Sequence, residues 1–400
     1  MKIFPLSAIA LGMAFAQHAN AQSYQFTNCD AEGRLGPGQS DCNTEYAGTT
    51  LESTVTVSGG IQAWVVPETG TYLIEADGAA GGTQQYSGEE GSGTPSPGGF
   101  GASLQGTFEL TAGETLHVLV GQMGGDTQQD VETDDDWENA APGGGGGTFV
   151  YRNSADPLPL LAAGGGGSGS NCEVVDTSLQ NASLTTGGNK ASGVNGDTVD
   201  NGGAGGNGGL GNYPFEGGSS YWAGAGAGWL TDGTGGHNPT DYDYRGDPAN
   251  EYDTTAVGDG GRSPRNGGEG GLRGYDDNDE GGDGGFGGGG GGGSDNMGGG
   301  GGGGFSGGGG ADGDDCTNGS IENNPGGGGG SYNGGTDQVN ELAGARSHGL
   351  VTIRALVIPS AAPQGEATEP TKAVPVMTGW GIGILATLIG LLGMYSRRRK

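Results

Sequence analysis

The feature that most limits what this chain can fold into is a stretch of glycine at residues 281–330. Unbroken glycine runs occupy 287–293 and 298–304, and shorter runs occupy 307–310 and 326–330. Glycine has no side chain to bury, and it loses more backbone entropy on folding than any other residue. Such a stretch is therefore either disordered or held by contacts between backbones alone.

Composition and charge narrow the choice of fold and partner. Glycine contributes 99 of the 400 residues but does not recur at every third position with proline, which excludes a collagen triple helix. The default interpretation of such a composition is a disordered linker. Spaced aromatic and β-branched segments argue against it, because they could build the core of a sheet. The formal net charge is −32, so nucleic acid is not expected as a partner, because phosphate binding requires lysine and arginine.

Eight short segments have the composition of β-strands, because they are rich in Val, Ile, Leu, Tyr and Phe and bounded by Gly, Pro or Asp. They are residues 53–57, 61–66, 71–76, 102–110, 116–120, 148–152, 159–162 and 350–357. No long segment has a helical period, so we predict an all-β fold, an antiparallel β-sandwich. The last strand follows the glycine stretch, which makes residues of about 164–346 an insertion whose two ends return to one sheet.

Residues 1–21 are predicted to be a secretory signal peptide. Lys2 supplies its positive charge, residues 3–15 supply a short apolar run, and Ala19-Asn20-Ala21 is a cleavage site. The apolar run is too short for a membrane anchor, and Pro5 interrupts it. We expect the mature domain to begin at Gln22 and to extend to residue 357.

Export makes the cysteines informative. An even number of cysteines in an exported chain suggests disulfides, and this chain has Cys29, Cys42, Cys172 and Cys316. Short spacing favours a Cys29–Cys42 bond, which leaves Cys172 for Cys316. A metal site and free thiols are the alternatives, although no CxxC spacing supports a metal.

The C-terminal part is predicted to be a linker, 358–373, followed by a transmembrane helix and basic tail, 374–400. An apolar segment at 379–395 would span about 25 Å as a helix, enough for the hydrocarbon layer of a membrane. The basic cluster should stay in the cytoplasm, with the glycine-rich domain outside. The anchor residues that we single out are Pro375, Trp380, Arg397, Arg398, Arg399 and Lys400.

Candidate chemistry is sparse. No GxSxG, HExxH or phosphate-binding GxxxxGK[ST] motif occurs, so we expect neither an enzyme nor a cofactor. His117 lies in a predicted strand, where packing or exposure is the simpler role. Acidic runs at 276–279 and 312–315 could hold calcium, but they fit no EF-hand loop, and solvated charge is the favoured interpretation.

Several segments carry a family resemblance. Residues 26–37 read FTNCDAEGRLGP and are followed by Cys42; residues 60–82 read GIQAWVVPETGTYLIEADGAAGG; residues 113–122 read GETLHVLVGQ. These segments resemble the glycine-rich extracellular domain of the anaplastic lymphoma kinase and leukocyte tyrosine kinase receptors. The remaining matching segments, in chain order, are 99–103, 106–110, 143–151, 159–167, 284–286, 305–310 and 347–354.

The resemblance implies a sandwich similar to tumour necrosis factor that carries an array of polyglycine helices. Such helices have the polyproline II form with three residues per turn, and bare backbones let neighbours hydrogen-bond to each other. Phe286, Phe305 and Trp229 are then expected as wedges at the edge of the array. No kinase motif occurs in the chain.

The C-terminal pattern is similar to the IPTL-CTERM sorting signal of Gram-negative bacteria. Pro375, Trp380 and the terminal arginines match it, whereas Val374, Val376, Met377 and Gly379 depart from it. Together these features suggest a non-enzymatic, exported bacterial cell-envelope protein with a structural, adhesive or recognition role. Its partner would be a protein or an envelope polymer. The alternatives are a receptor or ligand-binding module for a protein partner and a calcium-dependent adhesin.

Overall fold

The computed structural model describes most of the chain between the two predicted targeting segments. The described residues are 22–85, 95–129, 140–170, 178–191, 201–211, 223–235, 257–274, 279–294, 298–311 and 325–358. The predicted signal peptide, linker, transmembrane helix and basic tail lie outside them, as do Cys172, Cys316 and the acidic run 312–315. Within the described part of the chain, no helix has the length and apolar character needed to cross a membrane.

The described part is almost entirely β-structure and irregular backbone. Its strands are β1 (Ser23–Phe26), β2 (Val55–Ser58), β3 (Ile61–Val65), β4 (Gly70–Asp77), β5 (Ala102–Leu110), β6 (Thr115–Leu119), β7 (Gln128–Gln129), β8 (Thr148–Tyr151), β9 (Leu161–Ala163), β10 (Asp279–Glu280), β11 (Tyr332–Asn333), β12 (Thr336–Leu342) and β13 (Leu350–Val357). One α-helix, α1 (Gln39–Glu45), and one 3₁₀ helix, Pro264–Asn266, accompany them. The predicted all-β class is confirmed.

Two antiparallel sheets pack face to face. The first sheet has the order β1-β13-β4-β5-β12, and the second has the order β11-β9-β8-β6-β3-β2. Alternate side chains of β4 and β13 point inward from the first sheet, among them Tyr72, Ile74 and Ile353. They share one core with inward side chains of the second sheet, such as Trp64 and Val150. The period of two that predicted the strands therefore also selects the core.

Each of the eight predicted strands has an observed counterpart, and the ends differ by a few residues. From the sequence we did not predict the edge strands β1, β11 and β12, the short pair β7 and β10, or helix α1. Strand β12 reads TDQVNEL, and all seven of its residues are exposed, so it lacks the alternation that a half-buried strand shows. It forms because it pairs with β5 at the edge of the first sheet.

A disulfide joins Cys29, which follows β1, to Cys42 in helix α1. Asp41 Oδ2 accepts a hydrogen bond from Gly38 N at 2.8 Å, which satisfies a free donor at the start of this short helix. Cys42 is the buried residue of the helix, so the bond fixes the helix against the sandwich core.

Removing this bond with Cys29→Ala and Cys42→Ala together is expected to lower the free energy of unfolding by about 3 kcal/mol, because the bond closes a short loop in the unfolded chain. The two cysteines are 13 positions apart. Urea unfolding measures the change. Ser40→Ala, on the exposed side of the same helix, is the control and should change stability by less than about 0.5 kcal/mol. A double variant as stable as the control would show that the bond contributes nothing.

Glycine segments lie beside the sandwich in an ordered array held by backbone hydrogen bonds. We use "glycine array" for these segments: 78–82, 121–125, 143–147, 164–169, 223–228, 281–293, 298–311 and 326–330. The first three segments precede residue 164, so the array extends beyond the predicted insertion. They are the loop that follows β4, the loop that follows β6 and the segment that precedes β8.

The array has a hydrogen-bond period of three. Gly143 N and Gly146 N donate to Gly125 O and Gln122 O, at 3.0 and 2.9 Å. Gly144 N and Gly147 N both donate to a different segment, at Gly290 O and Gly287 O, at 2.9 Å each. Residues three apart thus bond to the same neighbour, which is the repeat of a polyproline II helix.

The segment 143–147 lies inside the array, where described neighbours surround it. It exchanges backbone hydrogen bonds with six of them. These neighbours are the segments 79–82, 122–125, 164–169, 281–285, 287–290 and 300–303. A helix with three residues per turn directs its N–H groups along three directions and its carbonyls along three more, which accounts for this number. Backbone groups that lack water are paired here, as buried polar groups must be.

Candidate functional site

The glycine array meets the outward face of the second sheet through an aromatic cluster. We call it the junction cluster; its buried members are Leu119, Phe149, Tyr151, Ala162, Trp229, Phe286 and Phe305. Phe149 and Tyr151 alternate with Val150 along β8, so Val150 enters the sandwich core while its neighbours face the array. The second sheet is therefore covered on both faces around β8 and β9.

Trp229 is the centre of the junction cluster and is fully buried. Its ring lies 6.1 Å from the ring of Phe149 and 5.1 Å from that of Tyr151, between centroids. Its Nε1 donates a hydrogen bond to the carbonyl of Asp156 at 3.1 Å, so the indole has a partner for its polar atom. Phe305 stacks on Tyr332 at 5.1 Å.

The three aromatic residues expected at the edge of the array, Trp229, Phe286 and Phe305, all lie in the junction cluster. They occupy the boundary with the sandwich and not an open rim of the array. Phe286 also fills the space between Gly36 and Gly60, where a Cβ on either glycine would collide with its ring. These side chains fix the position of the array against the second sheet.

A cleft opens beside the junction cluster where the second sheet is not covered. It has a volume of about 600 Å³, and we call it the Arg265 cleft. Its floor is a row of paired residues across four strands, Thr56, Ala63, His117 and Tyr151. Arg265, in the 3₁₀ helix Pro264–Asn266, forms one wall. Because Ala63 is the smallest side chain in the row, the floor is lowest there.

The charges of the Arg265 cleft differ from those of the whole chain. Arg152 and Arg265 line it, and none of the described residues that line it is Asp or Glu. Arg152 is neutralised in part by Glu114, since its Nε lies 3.3 Å from Oε2 of that carboxylate. The Arg265 guanidinium lies 5.1 Å from the centre of the Trp229 ring, and it donates to the carbonyl of Asp156.

Two aromatic groups on the floor are held in their neutral forms. His117 stacks on Tyr151 with 5.3 Å between ring centres, and burial lowers the pKa of His117. Burial raises the pKa of Tyr151 to about 12. Near neutral pH the positive charge of the cleft therefore comes from its arginines.

The Tyr151 pKa predicts a loss of stability at high pH. The pKa of an unfolded tyrosine is about 10, so between about pH 10 and 12 the unfolded chain gives up a proton that the folded chain retains. The free energy of unfolding should then fall by about 1.4 kcal/mol per pH unit from this residue, and it should be independent of this residue below about pH 9.

Urea unfolding of the wild type and of Tyr151→Phe at about pH 9 and pH 11 measures this contribution. Burial also raises the pKa values of Tyr24, Tyr46 and Tyr72, but both proteins share those residues, so the difference isolates Tyr151. The wild type should lose more stability than the variant. Equal losses would mean that Tyr151 ionises in the folded protein as readily as in water.

A second cleft, of about 420 Å³, lies among loops of the array and contains charges of both signs. Glu32, Asp126, Asp283, Arg273 and His348 line it. His348 Nδ1 accepts a hydrogen bond from Met123 N at 3.1 Å, and burial lowers the pKa of its ring. Among the described residues, no group of three His, Cys, Asp or Glu side chains is arranged to hold a metal ion.

The residues singled out in the sequence contribute unequally to these sites. Cys29 and Cys42 are bonded to each other, whereas Cys172, Cys316 and the six anchor residues lie outside the described part. His117 contributes to the Arg265 cleft. We did not predict from the sequence that Tyr151, Arg152 and Arg265 would line a site. The rarity of basic residues is the sequence signal that could have drawn attention to the two arginines, since the chain has 15 Lys and Arg against 47 Asp and Glu.

Comparison with known proteins gives a partial relative. The chain is 41% identical to the leukocyte tyrosine kinase receptor of Mus musculus over 104 residues, which are 25% of this chain and 11% of the receptor. The matched part is extracellular and does not include the kinase domain. No family model matches the chain. The chain is thus similar, over a quarter of its length, to a receptor's extracellular region, and this similarity together with the disulfide indicates an exported protein.

Proposed function

We propose that this chain is a non-enzymatic recognition module that binds a protein partner outside the cytoplasm. The similarity to an extracellular region of a receptor carries the proposal. The glycine array supports it, because a backbone-packed array has few ways to rearrange and so presents a surface of fixed shape. Rigid surfaces lose little entropy on binding, which favours recognition. The tumour-necrosis-factor-like arrangement of the two sheets, implied by the resemblance, is part of the same proposal.

Cross-linking in intact cells tests the proposal. Cells that express the full chain are treated with a carboxyl-to-amine cross-linker, and the products are purified under denaturing conditions and identified by mass spectrometry. We expect one protein in near-stoichiometric amount. Gly145→Ala, which is expected to disrupt the array, is the control for dependence on the folded surface. A set of products identical for the two chains would contradict recognition by the folded module.

We further propose that the module is displayed on the bacterial cell envelope. The predicted signal peptide 1–21 would export it, and the segment 374–400 would retain it in a membrane, with Arg397–Lys400 on the cytoplasmic side. The full chain should then require detergent for extraction from the membrane fraction, whereas a chain ending at Ile358 should be found in the soluble envelope fraction. Full-length protein that still carries residues 397–400 in membrane-free medium would contradict anchoring.

The calcium-dependent adhesin is the weaker alternative. The acidic run 312–315 and most of 276–279 lie outside the described residues, and the described carboxylates form no three-ligand group. Calorimetry with millimolar calcium, in the range of weak extracellular sites, distinguishes this alternative from calcium-independent recognition.

A further inference from the structure

We infer that the Arg265 cleft binds a small sugar that carries a carboxylate. The inference does not depend on the proposed function. It rests on the charge of the cleft, the free donor of Arg265 and the chemistry of the cleft floor.

The charge of the cleft is opposite to that of the chain. The whole sequence has 47 acidic and 15 basic residues, yet the described lining of the cleft contains two arginines and no carboxylate. Glu114 partly neutralises Arg152, so Arg265 supplies most of the positive charge. Charges beyond about 8 Å are largely screened at physiological salt, so the cleft presents its own positive charge to a small ligand. A long polyanion would also meet the rest of a chain whose net charge is −32, which favours a ligand with one or two charges.

Arg265 has an unused donor. One terminal nitrogen, Nη2, donates to the carbonyl of Asp156, whereas no described group accepts a hydrogen bond from the other terminal nitrogen, Nη1. No described carboxylate forms an ion pair with it. The guanidinium carbon lies over the Trp229 ring, 5.1 Å from its centre, and this contact helps to hold the side chain in place. The planar guanidinium can receive a carboxylate with two parallel hydrogen bonds.

The hydroxyl groups of the cleft favour an acidic sugar over a simple inorganic anion. Thr56, Ser58 and Ser154 line it, and hydroxyls both donate and accept hydrogen bonds, as the hydroxyls of a sugar do. Tyr151 is 3% exposed, and within the described part of the chain its hydroxyl has no hydrogen-bond partner. The volume of about 600 Å³ lies within the range of small-ligand pockets.

Calorimetry with digalacturonic acid and the full chain tests the inference. Neutral galactobiose, the dipeptide Asp-Asp and inorganic phosphate serve as comparison probes. We expect digalacturonate to bind with a dissociation constant of roughly a millimolar or below, and tighter than each comparison probe by about tenfold. No heat of binding at about 10 mM digalacturonate would overturn the inference. Equal or tighter binding of the neutral sugar, the dipeptide or phosphate would also overturn it.

Two variants locate the site. Arg265→Gln should weaken digalacturonate binding by about tenfold or more, as expected when a charged hydrogen bond is lost. Arg262→Gln removes the same charge from an exposed residue three positions away that does not line the cleft, and it should change binding by less than about twofold.

Ala63→Leu provides a test that does not involve Arg265, which also packs on Trp229. The larger side chain fills the lowest part of the floor and leaves every charge in place, so digalacturonate binding should fall by about tenfold. Thermal unfolding of each variant establishes that it is folded. If Ala63→Leu and Arg265→Gln both fold and bind digalacturonate as the wild type does, the ligand lies elsewhere and the inference is wrong.

Discussion

Replacing Gly145 by alanine should destabilise the protein by about 3 kcal/mol or more, although the change adds a single methyl group. A Cβ at this position would lie 2.6 Å from both the carbonyl oxygen of Ala79 and the carbonyl carbon of Ala80. Real Cβ atoms are not found so close to backbone, and the colliding atoms belong to backbone that is itself hydrogen-bonded. Ala79 N donates to Gly146 O, for example, so relief of the collision would break the contacts that form the array.

Gly344→Ala is the matched control. Gly344 is exposed, and a Cβ placed on it meets nothing within 4 Å. Its φ is not in the left-handed region, so alanine fits the backbone and should leave stability unchanged or raise it by about 0.5 kcal/mol. Urea unfolding of the two variants and the wild type measures the contrast. If Gly145→Ala is tolerated as well as the control, the array in solution is not packed as described.

Replacing Trp229 by alanine should lower the free energy of unfolding by about 3–5 kcal/mol, the usual range for a buried aromatic residue. The change empties the centre of the junction cluster, where the indole contacts Phe149 and Tyr151. It also leaves the carbonyl of Asp156 without the Nε1 donor. Because Trp229 directly follows the array segment 223–228, its loss should weaken the attachment of the array to the second sheet.

Trp229→Phe is the graded control, because it keeps most of the packing and loses the indole donor. It should cost clearly less than alanine, and denaturant unfolding measures both. Amide exchange adds a local readout: in Trp229→Ala, exchange should rise more at residues 298–304 than at β4, which lies in the opposite sheet. Equal stability of the alanine variant and the wild type would mean that the junction cluster does not join the two parts.

The β-strands could be predicted because each buries one face, which leaves a period of two in the sequence. Residues 71–76 and 350–357 have this pattern, and both form central strands of the first sheet. Strand β12 has no such pattern because all of its side chains face solvent. Its pairing is decided by the backbone of β5, and backbone pairing has no signature in side chains.

The contacts within the glycine array were even harder to predict from the sequence than the pairing of β12. Its contacts are between backbones, so identical glycines at 144 and 145 bond to different segments, at Gly290 and Gly166. Composition indicates only that such a segment is disordered or packed on backbone. The family resemblance predicted the ordered form, but the partners of each run depend on three-dimensional closure that no residue pattern specifies.

The Arg265 cleft could be predicted only in part. His117 falls in a predicted strand, and the pairing of Thr56, Ala63, His117 and Tyr151 follows once the strand order is known. Arg265 comes from a distant loop, and its position depends on the contact with Trp229. Sites assembled from segments far apart in sequence require the fold before their chemistry is visible.

Amide hydrogen exchange of protein labelled with ¹⁵N-glycine tests the central claim most directly. In the folded protein the glycines of 143–147, 287–293 and 298–304 should exchange at least about a hundredfold more slowly than the turn glycines Gly33, Gly59 and Gly344. Those turn glycines have open space around them and their amides donate to no described group, whereas most array glycines donate to neighbouring segments. Slow exchange across the runs is the predicted result. Exchange as fast as that of the turn glycines throughout 287–293 and 298–304 would show that the glycine stretch is a disordered tract and would contradict the account.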